Sequence, residues 1–256
     1  MINNIHAIIL AMKDYLIDTH AHIDMLTEFD ISGVKKVIVP SVEFATMEKV
    51  VSLSENPNVY SMIGIYPSEA KSYSQEIEDK MIEYSKNPRV IAIGEIGLDY
   101  YWDKSFVYLQ KEVFKKQIKL ANKLNLPIVV HDREAHKDCF DILCEHNVGS
   151  KILFHCFSGS VEFMQECVKQ GWFIAIGGVV TFKNAIKMKD VAREVPLDKL
   201  VLETDAPYLT PVPFRGKENK PAYIKYVAEE IAKIRNIDLQ DVINATTTNA
   251  EEFFGI

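Results

Sequence analysis

The sequence predicts an α/β protein built as a single (β/α)8 barrel of the TIM type, and three observations carry that expectation. Short apolar runs rich in β-branched residues recur eight times along 256 residues. They are near-continuous rather than alternating, as a parallel sheet buried on both faces requires. Amphipathic segments long enough for helices separate most of the runs, giving a barrel's alternation at a barrel's usual length. The main competitor, an open doubly wound sheet, ordinarily carries a glycine-rich phosphate loop after its first strand. Here that turn reads THAHID (19–24), without a glycine.

The runs in order are YLID (15–18), KKVIVPSV (35–42), VYSMIGI (59–65) and VIAIGEIG (90–97). PIVVHD (127–132), KILFHCF (151–157), WFIAIGG (172–178) and KLVLETD (199–205) complete the set. Helices are expected near 43–56, 68–87, 105–125, 134–147, 160–170, 183–193, 219–235 and 238–254. The third is the clearest, because Phe106, Leu109, Val113, Ile118, Ala121 and Leu124 form a broad apolar stripe at helical spacing. Asp238 has the short acceptor side chain that caps a helix N-terminus and is expected to start the last one. Neither a linker nor a low-complexity tract interrupts the pattern, so residues 15–256 read as one barrel domain. Residues 1–14 read as an N-terminal extension, the first 11 of them derived from an upstream start. Their apolar patch lacks the basic flank and cleavage site of a signal peptide.

Composition narrows the classes of function. The chain is 48% hydrophobic and 25% charged, with a formal net charge of −7. No global basic field draws in polyanions, so any nucleic-acid contact needs a local cationic patch or bound cations. Four cysteines form no CxxC pair and read as reduced thiols, which points to a cytoplasmic protein. No apolar stretch approaches the ~20 residues of a membrane span, and no obligate protein partner is expected.

In a barrel, chemistry sits at the C-terminal ends of the strands. Four of the seven histidines follow or end predicted strands: His20, His22, His131 and His155. Glu95 closes the fourth run and Asp205 the eighth. His20 and His22 stand two apart, so an extended backbone sends both side chains to one side, as a chelating pair requires. Six potential nitrogen and oxygen ligands exceed what one tetrahedral ion needs and suit two ions sharing a bridging carboxylate.

These positions lie in blocks that resemble a known family. THAHID, GEIGLDY (94–100), PIVVHDREA (127–135), HCFSGS (155–160), IGGVVTF (176–182) and LETDAPYLTPVPFRGKENKP (202–221) are similar, in order, to the signature blocks of TatD-type metal-dependent deoxyribonucleases. That family belongs to the amidohydrolase-like barrel superfamily. The resemblance implies that His20, His22 and Asp205 hold one divalent ion and that His131 and His155 hold a second. Glu95 would bridge them, in place of the carboxylated lysine of other superfamily members. One position departs: where the family has Gly-x-His-Pro, this chain reads Gly64-Ile65-Tyr66-Pro67. The family histidine faces the substrate phosphate; Tyr66 can donate a hydrogen bond but cannot become cationic.

The expected activity is hydrolysis of phosphodiester bonds by a metal-activated water, as a 3′–5′ exonuclease on the ends of single-stranded or nicked DNA. Asp205 is the candidate catalytic group that orients the nucleophile and takes its proton. The cofactors are two divalent ions per chain, Mg, Mn, Zn or Co. Tyr66, Arg133, Arg215, Lys217 and Asn219 are candidate substrate contacts, the last three with Lys220 in the loop after the eighth strand. Asp18 and Glu203 each stand two residues before a candidate ligand and are candidates to orient it. Tyr100, Tyr101 and Trp102, after the fourth strand, are candidates either to stack on a base or to form a hydrophobic plug, and Trp102 reads as the plug. Cys156, next to His155, should point away from the site if the strand alternation continues. The alternative activity is hydrolysis of an amide or ester by a deacylase of the same superfamily. A non-catalytic barrel is disfavoured because all six ligand positions are filled.

Overall fold

Each of the eight apolar runs forms a parallel strand: β1 (Ile17–Asp18), β2 (Lys36–Pro40), β3 (Val59–Ile63), β4 (Val90–Asp99), β5 (Ile128–Arg133), β6 (Ile152–Phe154), β7 (Phe173–Ile176) and β8 (Leu200–Leu202). They pair in strict sequence order. The structure, a computed structural model, describes residues 16–28 and 31–256, so the extension expected over 1–14 lies outside the described residues. The ring closes just beyond the ends of β1 and β8. There Thr19 N donates to Leu202 O at 3.1 Å, Asp205 N to His20 O at 2.9 Å and His22 N to Ala206 O at 2.7 Å.

Among the described residues there are eight helices: α1 (Phe44–Leu53), α2 (Gln75–Tyr84), α3 (Val107–Leu124), α4 (His136–His146), α5 (Val161–Lys169) and α6 (Ile186–Glu194) join successive strands from β2 to β8, and α7 (Ile224–Arg235) and α8 (Leu239–Phe254) both follow β8; a 3-10 turn, Ile23–Met25, lies between β1 and β2. Asp238 caps α8 as expected, accepting from Gln240 N at 2.7 Å. The segment expected as one helix over 68–87 is divided: a 3-10 turn covers Pro67–Ser72, and Ser74 caps a fresh start to α2. None of these helices is long and apolar enough to cross a membrane.

The strands lack alternation because both faces are buried. One inner cluster takes Ile17, Ile38, Met62, Ala92, Val129, Leu153, Ala175 and Val201, one residue from each strand. Phe253 and Phe254 of α8 join this cluster. Val37, Val39, Ile63, Val130 and Leu200, from the other strand face, join the larger cluster shared with the helices.

Two irregularities position the mouth of the barrel. The β4–β5 register shifts between Ile93 and Ile96, which re-aims the residues that follow. Gly97 then runs so close to β5 that a Cβ there would meet His131 O at 2.0 Å. The predicted runs at 151–157 and 199–205 overshoot the strands, because the backbone turns through positive φ at Cys156 (43°) and Asp205 (55°). These turns carry the adjoining side chains out of the sheet and into the mouth.

Candidate metal centre

All six predicted ligands converge at the C-terminal mouth. Glu95 lies at the centre, its two carboxylate oxygens facing different partners. Oε2 lies 3.3 Å from His20 Nε2 and 3.9 Å from His22 Nε2. Asp205 Oδ1 lies 3.9 Å and 3.6 Å from the same two nitrogens, which are 3.3 Å apart. On the other side, Glu95 Oε1 lies 2.7 Å from His131 Nδ1 and 3.0 Å from His155 Nε2.

The donor set fits divalent ions. The five separations around His20, His22, Glu95 and Asp205 approximate the edges of a tetrahedron. Separations of 3.3–3.9 Å are those of nitrogen and oxygen donors that could share one small divalent cation. Glu95 with His20 and His22, and Glu95 with His131 and His155, each bring their ligand atoms within 4.8 Å of one another.

The electrostatics favour ionised carboxylates. Burial pushes the Glu95 carboxyl up, but the surrounding His155 and His20 charges and the hydrogen bonds of His131 and His155 outweigh it and hold the group well below its usual range. Asp205 is likewise raised by burial and lowered further by the His22 hydrogen bond and neighbouring imidazoles. Burial lowers His22, His131 and His155, yet the facing carboxylates raise all three above the ordinary histidine value. His20 is lowered, by burial and then by the His155 charge.

The next layer of contacts fixes the ligands. Glu203 Oε2 lies 3.4 Å from His155 Nδ1, while Oε1 accepts from Cys156 N at 2.6 Å. Glu203 thus faces a predicted ligand, but that ligand is His155 and not the Asp205 two residues on. Asp18 acts differently from expectation: it reaches the backbone of His20 at 3.3 Å, not the ring, and binds Thr204 through N (2.9 Å) and Oγ1 (2.6 Å). Burial pushes its carboxyl up to about 8.

Asp99 is the residue that sequence reasoning missed. Its Oδ2 lies 3.1 Å from His131 Nε2, and Tyr66 donates its phenol to the same oxygen at 2.9 Å. Tyr66 Oη also lies 2.9 Å from His131 Nε2. Oδ1 accepts from the backbone N–H groups of Tyr101 and Trp102 at 2.9 Å and 3.4 Å. Burial raises Asp99, but His131, Tyr101 and Tyr66 together bring it down to about 2. The Tyr66 phenol is pushed up by burial and then by the charges of Glu95 and Asp99, so it stays protonated. The residue is thus bound to a predicted ligand and its carboxylate partner, although it still lines the cleft.

That cleft, about 680 Å³, is lined by Tyr66, Trp102, Arg133, Cys156, Asp205 and Tyr208 together with the ligand residues. Three expected substrate contacts do not reach it. Arg215 donates to Thr210 O at 3.0 Å and stacks its guanidinium over Phe182. Lys217 lies over Phe214 at 5.7 Å. Asn219 is fully buried and donates to Thr204 O and Tyr208 O, so it shapes the loop. Lys220, in the same loop, lies over the Tyr223 ring. Two further expectations are corrected. Cys156 lines the cleft, because β6 has already ended and strand alternation no longer applies. Trp102 is 72% exposed, which excludes a hydrophobic plug.

A barrel with clustered imidazole and carboxylate groups at its C-terminal mouth has the form of a metal-dependent hydrolase. The family profile described as TatD related DNase matches residues 17–255, and the chain belongs to that family. An uncharacterized metal-dependent hydrolase, YabD, from Bacillus subtilis is 41% identical over 94% of this chain and 99% of its own length. The protein named 3′-5′ ssDNA/RNA exonuclease TatD from Escherichia fergusonii is 32% identical over 91% of this chain and 92% of its own. The crystal structure of YjjV, a TatD homologue from Escherichia coli K12, superposes with a TM-score of 0.89 at 30% identity. It covers 96% of this chain and 100% of its own.

Proposed function

We propose that this chain is a phosphodiesterase using two divalent ions, and acts as a 3′–5′ exonuclease on single-stranded or nicked DNA. The observation that carries the reading is the Glu95 carboxylate, faced on one oxygen by His20 and His22 and on the other by His131 and His155. Glu95 with His20, His22 and Asp205 would hold one cation, and Glu95 with His131 and His155 would hold a second. Divalent ions bound there supply Lewis acidity, making hydroxide available near neutral pH and neutralising phosphoryl charge.

The chain's own groups supply the rest. Asp205 is held ionised by its imidazole neighbours, so it is ready to accept the nucleophile's proton. Its positive φ projects it from the last strand beside His20 and His22. His131 must carry its proton on Nε2 if Nδ1 is to be a ligand, and Asp99 is the acceptor that holds it there. Arg133 brings the cation at the cleft mouth that Tyr66 cannot provide.

The test is incubation of the purified protein with a 3′- or 5′-end-labelled oligonucleotide and Mg or Mn. Asp205→Asn and EDTA serve as controls, and both should cut the rate by at least about a hundredfold. Absence of metal-dependent shortening would sink the nuclease reading. Turnover of an amide or ester panel under those conditions would favour the deacylase alternative.

A further inference from the structure

At the rim of the cleft two aromatic rings and a guanidinium stand together in a form the catalytic chemistry does not require. Tyr101 is 49% exposed and Trp102 72%. The rings meet edge to face at 4.8 Å. Arg133 lays its guanidinium over Tyr101 at 3.8 Å, with the Trp102 ring 5.5 Å away. Among the described residues Arg133 has no carboxylate partner and its side chain makes no hydrogen bond. A guanidinium stacked through its face keeps its N–H edge available to an anion.

The group is fixed relative to the catalytic site. Arg133 lies two residues after His131 on β5, so the strand sends both side chains to the same side. Tyr101 and Trp102 hang their backbone N–H groups on Asp99 Oδ1, whose other oxygen faces His131. The loop therefore takes its position from the same carboxylate that orients a predicted ligand.

We infer that Trp102, Tyr101 and Arg133 form a binding site for an unpaired nucleotide next to the scissile phosphodiester. Trp102 stacks on the base and the Arg133 N–H edge takes a phosphate. The inference rests on the nuclease reading and deepens it. A base inside a duplex has both faces covered by its neighbours, so only a single-stranded or frayed end presents a face to Trp102. Stacking addresses the π-face common to all bases, so the site discriminates strandedness rather than sequence.

Fluorescence tests it directly. The chain has two tryptophans; Trp172 is 7% exposed and packs against Phe154 and Phe140, so solvent-sensitive emission comes mainly from Trp102. The metal-loaded protein is titrated with a phosphorothioate-linked oligodeoxyadenylate and with an abasic strand carrying the same linkages. The expected result is quenching by the base-bearing strand only, abolished in Trp102→Phe when the emission of that variant is monitored. On cleavable single strands, Trp102→Ala should raise KM about five- to hundredfold, with the loss falling on KM rather than kcat. Equal quenching by both strands, or a KM within twofold of wild type, overturns the inference even if DNA is still cut. Selective quenching without any cleavage keeps the base site and removes the nuclease reading instead.

Discussion

Asp99 receives four donors: Tyr66 and His131 on one oxygen, Tyr101 N and Trp102 N on the other. A carboxylate saturated in this way is a rigid reference point for the imidazole it holds. Groups that orient a metal-binding histidine are typically worth about 10–100-fold in metal affinity. Asp99→Asn is therefore expected to weaken the weaker of two Mn-binding steps by that factor in isothermal titration. Tyr66→Phe, which removes one donor and leaves the Asp99–His131 contact, should cost about tenfold or less. Two unchanged binding steps in both variants would contradict the orienting role. The six predicted ligands were legible because imidazoles and carboxylates at strand ends have few other uses. Asp99 was not, because it lies two residues beyond the predicted fourth run, and only the continuation of β4 past its register shift places it against His131. Arg215 shows the converse: its charge and loop were legible, but not that its guanidinium would be taken up by Thr210 O and Phe182.

All eight strands and all eight helices coincide with segments the sequence marks out, with β4, β5 and α6 running one or two residues beyond them, because burial on both strand faces and on one helix face imposes distinct periods. The ends were harder to read. Strands β6 and β8 stop at Phe154 and Leu202, where local backbone turns serve the mouth rather than the sheet. At Gly97 β4 runs close against β5, and this residue's φ of +146° is itself unfavourable for any side chain. The opposing atom is a main-chain carbonyl at 2.0 Å from a Cβ built there, so no side-chain rearrangement relieves the clash. Gly97→Ala should destabilise the protein by more than about 4 kcal/mol or prevent its folding. A urea midpoint near that of wild type would show that β4 and β5 separate easily.

Across the whole molecule, the seam between the first and last strands holds the barrel shut and is stitched by the buried Asp18. Its carboxyl is raised from 3.8 to about 8 by burial. The folded state thus favours the protonated form, and the associated stability is complete below pH 3.8 and is lost as pH rises towards 8. Asp18→Asn keeps an acceptor for Thr204 N and His20 N and a donor for Thr204 Oγ1 without a charge to bury. In protein stripped of divalent ions, the variant should gain stability relative to wild type between pH 5 and pH 8.5 in urea melts. A constant difference across that range would mean that Asp18 does not titrate there. The seam also sets an order in time. His20 and His22 leave the ribosome early, but Asp205 and the backbone bonds that fasten it to His20 come only when about four-fifths of the chain has been made. A nascent or truncated chain ending before β8 therefore lacks both the proposed base and the ring that would hold it, so no half-built metal site is carried during synthesis.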